Sequence, residues 1–523
     1  MEKVEWEDVQ CLIQSGLAYL PYTAYILWHL NPDPNARPRH KDWLGNLAHR
    51  LIRVEDDDAG HAYPHRYHSL SRMKAHVKKA KKSSEQTKHV GDHDTESAYS
   101  GAINLALTRS GLKTLGVEDD ELRKFSAEFR EGMAPKPSKD STASRRSNVL
   151  GDIGQDLPAN WEWGGWEGEK TQEMIDGVML LYAFDKTSLN KLIAEETSFM
   201  GDAGIEVLTT LSGRFEGREH FGFKDGISQP TIEGTEQALG LSKKQKRISV
   251  VKPGEFVLGY KNERGAKVTF SYSTARGTRD LARNGTYLVF RQLKQHVDVF
   301  DRFLSETAAL LHGGPEEKAQ KEREKSKERT DGMELVAARL VGRNVDGKPL
   351  IPRGENSPGP DNMRNDFLYD LEDHFGLACP IGAHIRRANP RDALGHNPET
   401  ALRLSKMHRI IRRGRIYGGA ESPDKNDEKS GTCGLHFICL NADIAGQFEM
   451  IQHTWLNGAS FNGLYEETDP VSHYRLPNDK SCITFQHRPT NLRIPIPKFV
   501  TIRGGGYFFL PGIKALQSLA QWL

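Results

Sequence analysis

The chain has 523 residues, enough for one large core or for two related halves. Its 72 basic and 70 acidic residues leave a formal charge of only +2, which excludes the strong field expected of a nucleic-acid binder or an anionic-membrane binder and points to a small-molecule partner. Five cysteines without C-x-x-C spacing exclude a disulfide scaffold and a zinc ribbon, and no run approaches the roughly 20 apolar residues of a membrane span or opens as a secretory signal, so a cytoplasmic location is expected.

In chain order, Asp8 to Leu20 is expected as a short strand and Ala24 to Leu30 as a helix, because an alternating apolar run gives way to one with wider spacing. The Lys-, Ser- and His-rich stretch from Met73 to His93 suits an exposed insertion. Ala102 to Thr108 is strand-like, with Ser110 as the N-cap of a following helix. The continuous apolar run Gly177 to Phe184 predicts a buried strand, Thr187 to Phe199 a helix, and Glu206 to Phe215 a further strand.

The later part repeats this order. Gly285 to Leu293 and Gly434 to Leu440 read as strands, each followed by a helix, Val297 to Leu311 and Asp443 to Leu456. Phe499 to Leu510 with Ile513 to Leu523 closes the chain, and the almost wholly charged Pro315 to Asp331 reads as a surface helix or an insertion without catalytic content. Two α+β halves with antiparallel sheets are implied.

Three segments carry chemistry. Gly222 to Pro230 (GFKDGISQP) flanks Asp225 with glycines that let the backbone bend and bring a carboxylate close to a ligand, although such a segment taken alone is a turn just as readily. Cys379 to Arg391 (CPIGAHIRRANPR) places a lone histidine, His384, in a small apolar setting. Zinc needs three or four protein ligands, whereas haem needs only one, and a core histidine is the other reading. Met407 to Gly418 (MHRIIRRGRIYG) is dense in arginine but interrupted by isoleucines, as in a strand that directs one guanidinium inward.

Together, and with Asp8-Val9-Gln10, Asn104 to Gly116, Phe129 to Met133, Leu150 to Asp152, Gly285 to Leu293 and Gly505 to Pro511, these segments resemble the dye-decolorizing peroxidases over nearly the whole chain. The resemblance implies tandem ferredoxin-like halves, taken as 1–240 and 241–523, with one haem b held mainly by the second. It implies a peroxidase that reduces hydrogen peroxide and oxidises dyes, phenols or other aromatic donors. Asp225 would be the distal acid–base residue, His384 the iron ligand, Arg412 the distal arginine with Arg413 as the alternative, and Arg391 a partner of a haem propionate.

Gly226 and Ile227 are expected against the haem beside Asp225. Leu435 and Phe437, which share one side of a strand that turns His436 the other way, are expected to wall it. Glu449 is the candidate acceptor for the second nitrogen of His384. Some relatives carry Asn or Ser in place of Gly414, so any hydrogen bond from that side chain is absent. Other readings are a haem-handling protein that releases iron from porphyrin without turnover, and a haem-free α+β binding module. Homo-oligomer formation is compatible with any of them.

Overall fold

The computed structural model describes residues 2–51, 101–269, 271–274, 277–311, 322–352, 363–419, 432–472, 481–487 and 489–522. The Met73 to His93 stretch lies outside them. Eight strands form the frame: β1 Tyr22–Leu30, β2 Gly101–Leu107, β3 Gly177–Ala183, β4 Ile205–Arg214, β5 Thr286–Gln295, β6 Arg415–Gly418, β7 Cys433–Asn441 and β8 Val500–Leu510. The first four pair in the order β4-β1-β3-β2 and the last four in the order β8-β5-β7-β6, so each half repeats the ferredoxin-like arrangement. The halves join antiparallel along two seams, Ile416 opposite Arg214 and Phe509 opposite Leu107, and the sheet closes into a barrel.

Ala24 to Leu30 is therefore strand rather than helix. Seven of the nine residues of β1 are buried, so the period-2 alternation that marks a half-exposed strand is missing. Asp8 to Leu20, expected as a strand, is a run of turns whose Gln10 side chain bonds both Leu105 of β2 and the Pro511 carbonyl just after β8. The helix after β2, Arg109–Thr114, is capped by Thr108, whose hydroxyl accepts the Gly111 N–H. Ser110 instead donates to the Ile175 carbonyl. Within the charged stretch from Pro315 to Asp331, residues from Glu322 onward form a helix that runs to Val341.

Alternate side chains of the strands go to two cores. Ile26, Trp28, Ile103, Leu105, Met179 and Phe509 meet the outer helices, among them Arg37–Arg50 and Ile513–Trp522. Tyr25, Leu27, Val178, Leu180, Phe290 and Ile438 fill the opposite face together with the N-terminal turns. His436 belongs with this second set, stacked on Tyr417 at 4.6 Å. Leu435 and Phe437 point to the outer face, where they are only half-buried.

Candidate functional site

The segment between β5 and β6 builds most of the site. His384 opens the short helix His384–Ala388, and the two arginines that follow hold that helix in place. Arg386 donates to the Cys379 carbonyl and pairs with Asp373, while Arg387 donates to the carbonyls of Trp455, Gly458 and Glu467. Buried guanidinium groups whose Nη atoms end on carbonyls tie a five-residue helix down that could not hold itself.

His384 Nδ1 lies 2.9 Å from Asp469 Oδ2. A carboxylate only accepts, so Nδ1 carries the proton, and Nε2 has no hydrogen-bond partner among the described residues. The imidazole sits deep in the molecule, yet 31% of its side-chain surface stays accessible, whereas Asp469 is fully buried. Burial alone would push Asp469 up and His384 down. Their mutual charge and hydrogen bond outweigh it, holding Asp469 well below the usual carboxylate range and His384 above its ordinary value. The other Asp469 oxygen accepts the N–H groups of Val471 and Ser472 and the Ser472 hydroxyl, which fixes the carboxylate.

Glu449 does not take that place. Its oxygens accept from Arg146 Nη1 at 2.6 Å and from the Tyr507 hydroxyl at 2.7 Å, so it ties β8 and the segment around Arg146 to its own helix. The helix is wound with i→i+5 bonds, Glu449 N–H to the Ile444 carbonyl and Asn457 N–H to the Gln452 carbonyl. The direction of each side chain therefore departs from a reading based on 3.6 residues per turn.

On the other side of the site, the Gly222 to Pro230 loop turns through glycines at φ +93° and +81°, at Gly222 and Gly226, and through Ser228 at φ +68°. Asp225 Oδ1 accepts the Gly226 N–H at 2.6 Å and stands 3.5 Å from Arg412 Nη1; the two side chains remain 28% and 38% exposed. Arg412 Nη2 donates to the Ile227 carbonyl at 2.7 Å. Gln229 clasps the Arg412 backbone, donating to its carbonyl and accepting its N–H.

Glu219 lies behind the loop, accepting the N–H groups of Phe221 and Phe223, and its charge is felt by His384 together with that of Arg412. Along the arginine-rich strand the directions alternate. Arg412 pairs with Cys439 of β7 on the outer face, while Arg413 is buried with its guanidinium on the carbonyls of Leu12 and Ile13. Gly414 sits against β7, where a Cβ would come 3.0 Å from the His436 carbonyl.

Arg391 is less available than expected. It sits with φ +54° over the Phe367 ring, 3.9 Å from its centroid, and donates to the carbonyls of Asn365 and Phe367 and to the Asn365 side chain. Its bonds close a loop of the protein rather than face open space. Residues that the sequence did not single out complete the site: Asp469, Gln229 and Glu219. Among the described residues no three His, Cys, Asp or Glu side chains gather as a metal site, and no helix is long and apolar enough to cross a membrane.

A single imidazole with a free Nε2 suits an iron whose remaining in-plane ligands come from a macrocycle, and it does not suit a bare metal ion. The half-buried Leu435 and Phe437 lie on the same outer face as Arg412.

Comparisons with known proteins bear on the family and the fold. Residues 65–216 match the family model described as the DyP dimeric alpha+beta barrel domain. The chain is 30% identical over 462 residues to a dye-decolorizing peroxidase of Mycena epipterygia, covering 80% of this chain and 76% of that one. It is 29% identical to a multifunctional dye peroxidase of an Amycolatopsis strain, covering 80% and 82%. Among solved structures, an ancestral D-type dye decolorizing peroxidase superposes with a TM-score of 0.70 at 25% identity, covering 99% of this chain and all of that one. A dye-decolorizing peroxidase in complex with 2,6-dimethoxyphenol superposes at 0.69 with 22% identity, over 99% of this chain and 100% of that one.

Proposed function

The chain belongs to the dye-decolorizing peroxidase family and is a peroxidase; on that premise we propose that it holds one haem b, whose iron His384 Nε2 would bind, with Asp225 and Arg412 acting on hydrogen peroxide. Gly226, Ile227, Leu435 and Phe437 would lie against the porphyrin. When bound, haem supplies the redox chemistry that takes two oxidising equivalents from peroxide and releases them to a reductant.

The chain's own residues do the rest. Asp469 keeps the proton on His384 Nδ1 and lends negative charge to the imidazole, which strengthens Nε2 as a donor toward iron. Asp225, an accessible carboxylate, takes a proton from hydrogen peroxide and returns it to the departing oxygen, which leaves as water. Arg412 Nη1, beside it, stabilises the negative charge that develops on that oxygen, and Nη2 on the Ile227 carbonyl with Gln229 on its backbone keeps the guanidinium aimed. The electron donor is an aromatic or dye-like reductant, as the names of the relatives suggest.

The convergence of a carboxylate and a guanidinium from two distant segments, 3.5 Å apart and both accessible, carries the reading. Dye turnover with peroxide tests it. Asp225→Asn and Arg412→Leu should each keep haem and lose turnover, and haem-replete variants that turn over at the wild-type rate would overturn the assignment. A protein that only carries haem or releases its iron would be indifferent to both changes.

A further inference from the structure

Most of the buried arginines around the site end on named oxygens: Arg386, Arg387 and Arg391 as described above, Arg413 on Leu12 and Ile13, and Arg415 on Gly16 and Leu17. Arg409 differs. It is only 7% exposed, and although Arg386, Arg387, Arg391 and Arg415 share with it an Nε sealed without a partner, Arg409 alone of these arginines also makes no hydrogen bond through its Nη atoms and has no carboxylate within 4 Å among the described residues. Its backbone alone is engaged, the carbonyl accepting from Gln447 Nε2 and the N–H donating to the Lys406 carbonyl. Nothing in its own packing explains a buried, unpaired charge, which is among the costlier features a fold can carry.

Its surroundings add to the cost. The charge that acts on it most is that of Arg391, a second guanidinium, and Tyr369 acts in the opposite sense. Arg391 is held by uncharged oxygens, and Asp392 is committed to the N–H groups of Tyr369, Asp370 and Leu371. Burial, and after it the charge of Arg391, pushes Arg409 down to about 9. Two cations are thus buried, and while Asp392 and Glu372 act on Arg391, no carboxylate does so on Arg409. Arg409 stands three residues before Arg412, and Arg391 Nη2 lies 3.5 Å from Ser228 Oγ in the loop that carries Asp225, so this positive region borders the candidate site.

We propose that Arg409 binds a carboxylate of the haem, with Arg391 reinforcing the field from behind its carbonyl contacts rather than supplying the direct bond. The inference rests on the haem reading and refines it, because the arginine of the N-P-R sequence is the one expected to do this. A guanidinium paired with a carboxylate in a dry site forms charge-assisted, often two-pronged bonds, and both the donors and the charge are in place at Arg409.

The test is a binding titration of haem-free protein, followed by Soret absorbance, with iron protoporphyrin IX and with its dimethyl ester, which lacks both acidic groups. Wild type should prefer the diacid by about tenfold to a hundredfold, the range of one charge-assisted contact. Arg409→Met should remove most of that preference while changing ester affinity by less than about threefold, and Arg409→Lys should restore part of it.

Equal affinity of wild type for the two porphyrins would overturn the proposal. So would a preference that survives in Arg409→Met, or one lost in Arg391→Met and kept in Arg409→Met. Failure of wild type to bind either porphyrin would instead overturn the haem reading itself. Should Arg409→Met fail to fold by circular dichroism, the wild-type ratio and its reduction in Arg409→Lys decide the matter.

Discussion

In the first half of the barrel the connection from β1 to β2 carries the helix Arg37–Arg50, whose Trp43, Leu44 and Leu47 cover the sheet. In the second half the equivalent connection from β5 to β6 carries Val297–Leu311 and then runs on through His384, Arg391 and Arg409 before the strand resumes. Strand order is the same in both, so topology alone does not make a site. The difference lies in one lengthened crossover, and that crossover is folded largely by arginines. Arg343, Arg364, Arg386, Arg387 and Arg391 are buried there with their guanidinium groups on backbone carbonyls, whereas the described part of the first-half connection buries His40 as its one ionisable side chain. The first half contributes Asp225, the proposed acid–base group, on the loop that follows β4.

This division predicts that the largest losses come from the few residues where the halves meet over the site. Asp225→Asn and Arg412→Leu should each slow the reaction with hydrogen peroxide by about 10²- to 10⁴-fold in stopped-flow measurements, with haem content unchanged. A loss below tenfold for both would mean that the chemistry does not depend on the group from the first half.

Next in size is the contrast between two carboxylates on the second half. Asp469→Asn should weaken haem retention or peroxide reactivity about 10- to 100-fold, because His384 loses its charged partner. Glu449→Gln should leave the haem spectrum unchanged but lower folding stability by about 1–3 kcal/mol in a denaturant titration, since Arg146 loses its buried partner and keeps only the exposed Glu131. A spectral change in the Glu449 variant and none in the Asp469 variant would reverse the assignment.

The smallest effect concerns a carboxyl remote from the chemistry. Burial first, and then the charges of Glu263 and Asp443, hold Glu255 up at about 7, against the opposing pull of Arg264 and the Glu263 N–H. Its folded pKa exceeds its unfolded one, so the native state binds a proton that the unfolded chain has lost between about pH 4.5 and 7, and stability falls as pH rises through that window. Glu255→Gln should therefore stabilise the protein at pH 8 by about 1–3 kcal/mol relative to its effect at pH 4.5. A difference of the opposite sign in thermal melts would show that Glu255 is held ionised instead.

Much of this was legible in the sequence, and the exceptions have physical reasons. The strands β3, β4, β5, β7 and β8 announce themselves as apolar runs, but β1 does not, because burial on both faces erases the alternation. Arg412 and Arg413 are separable only once the strand's pairing with β7 is known, since a one-residue step exchanges the faces. Asp469 could not be found from periodicity. It sits 85 residues after His384 in a turn, and its Asp-Pro-Val-Ser context reads locally as a loop residue accepting its own N–H groups. Glu449 was the visible carboxylate on the visible helix, and the i→i+5 winding turned it away.

The most direct test of the account is the absorption spectrum of the purified, haem-reconstituted protein beside that of His384→Ala, before and after one equivalent of hydrogen peroxide. The account predicts a Soret band that depends on His384 and changes within milliseconds to seconds of adding peroxide. A band that is unchanged in His384→Ala, or wild-type protein that takes up no haem, would contradict it.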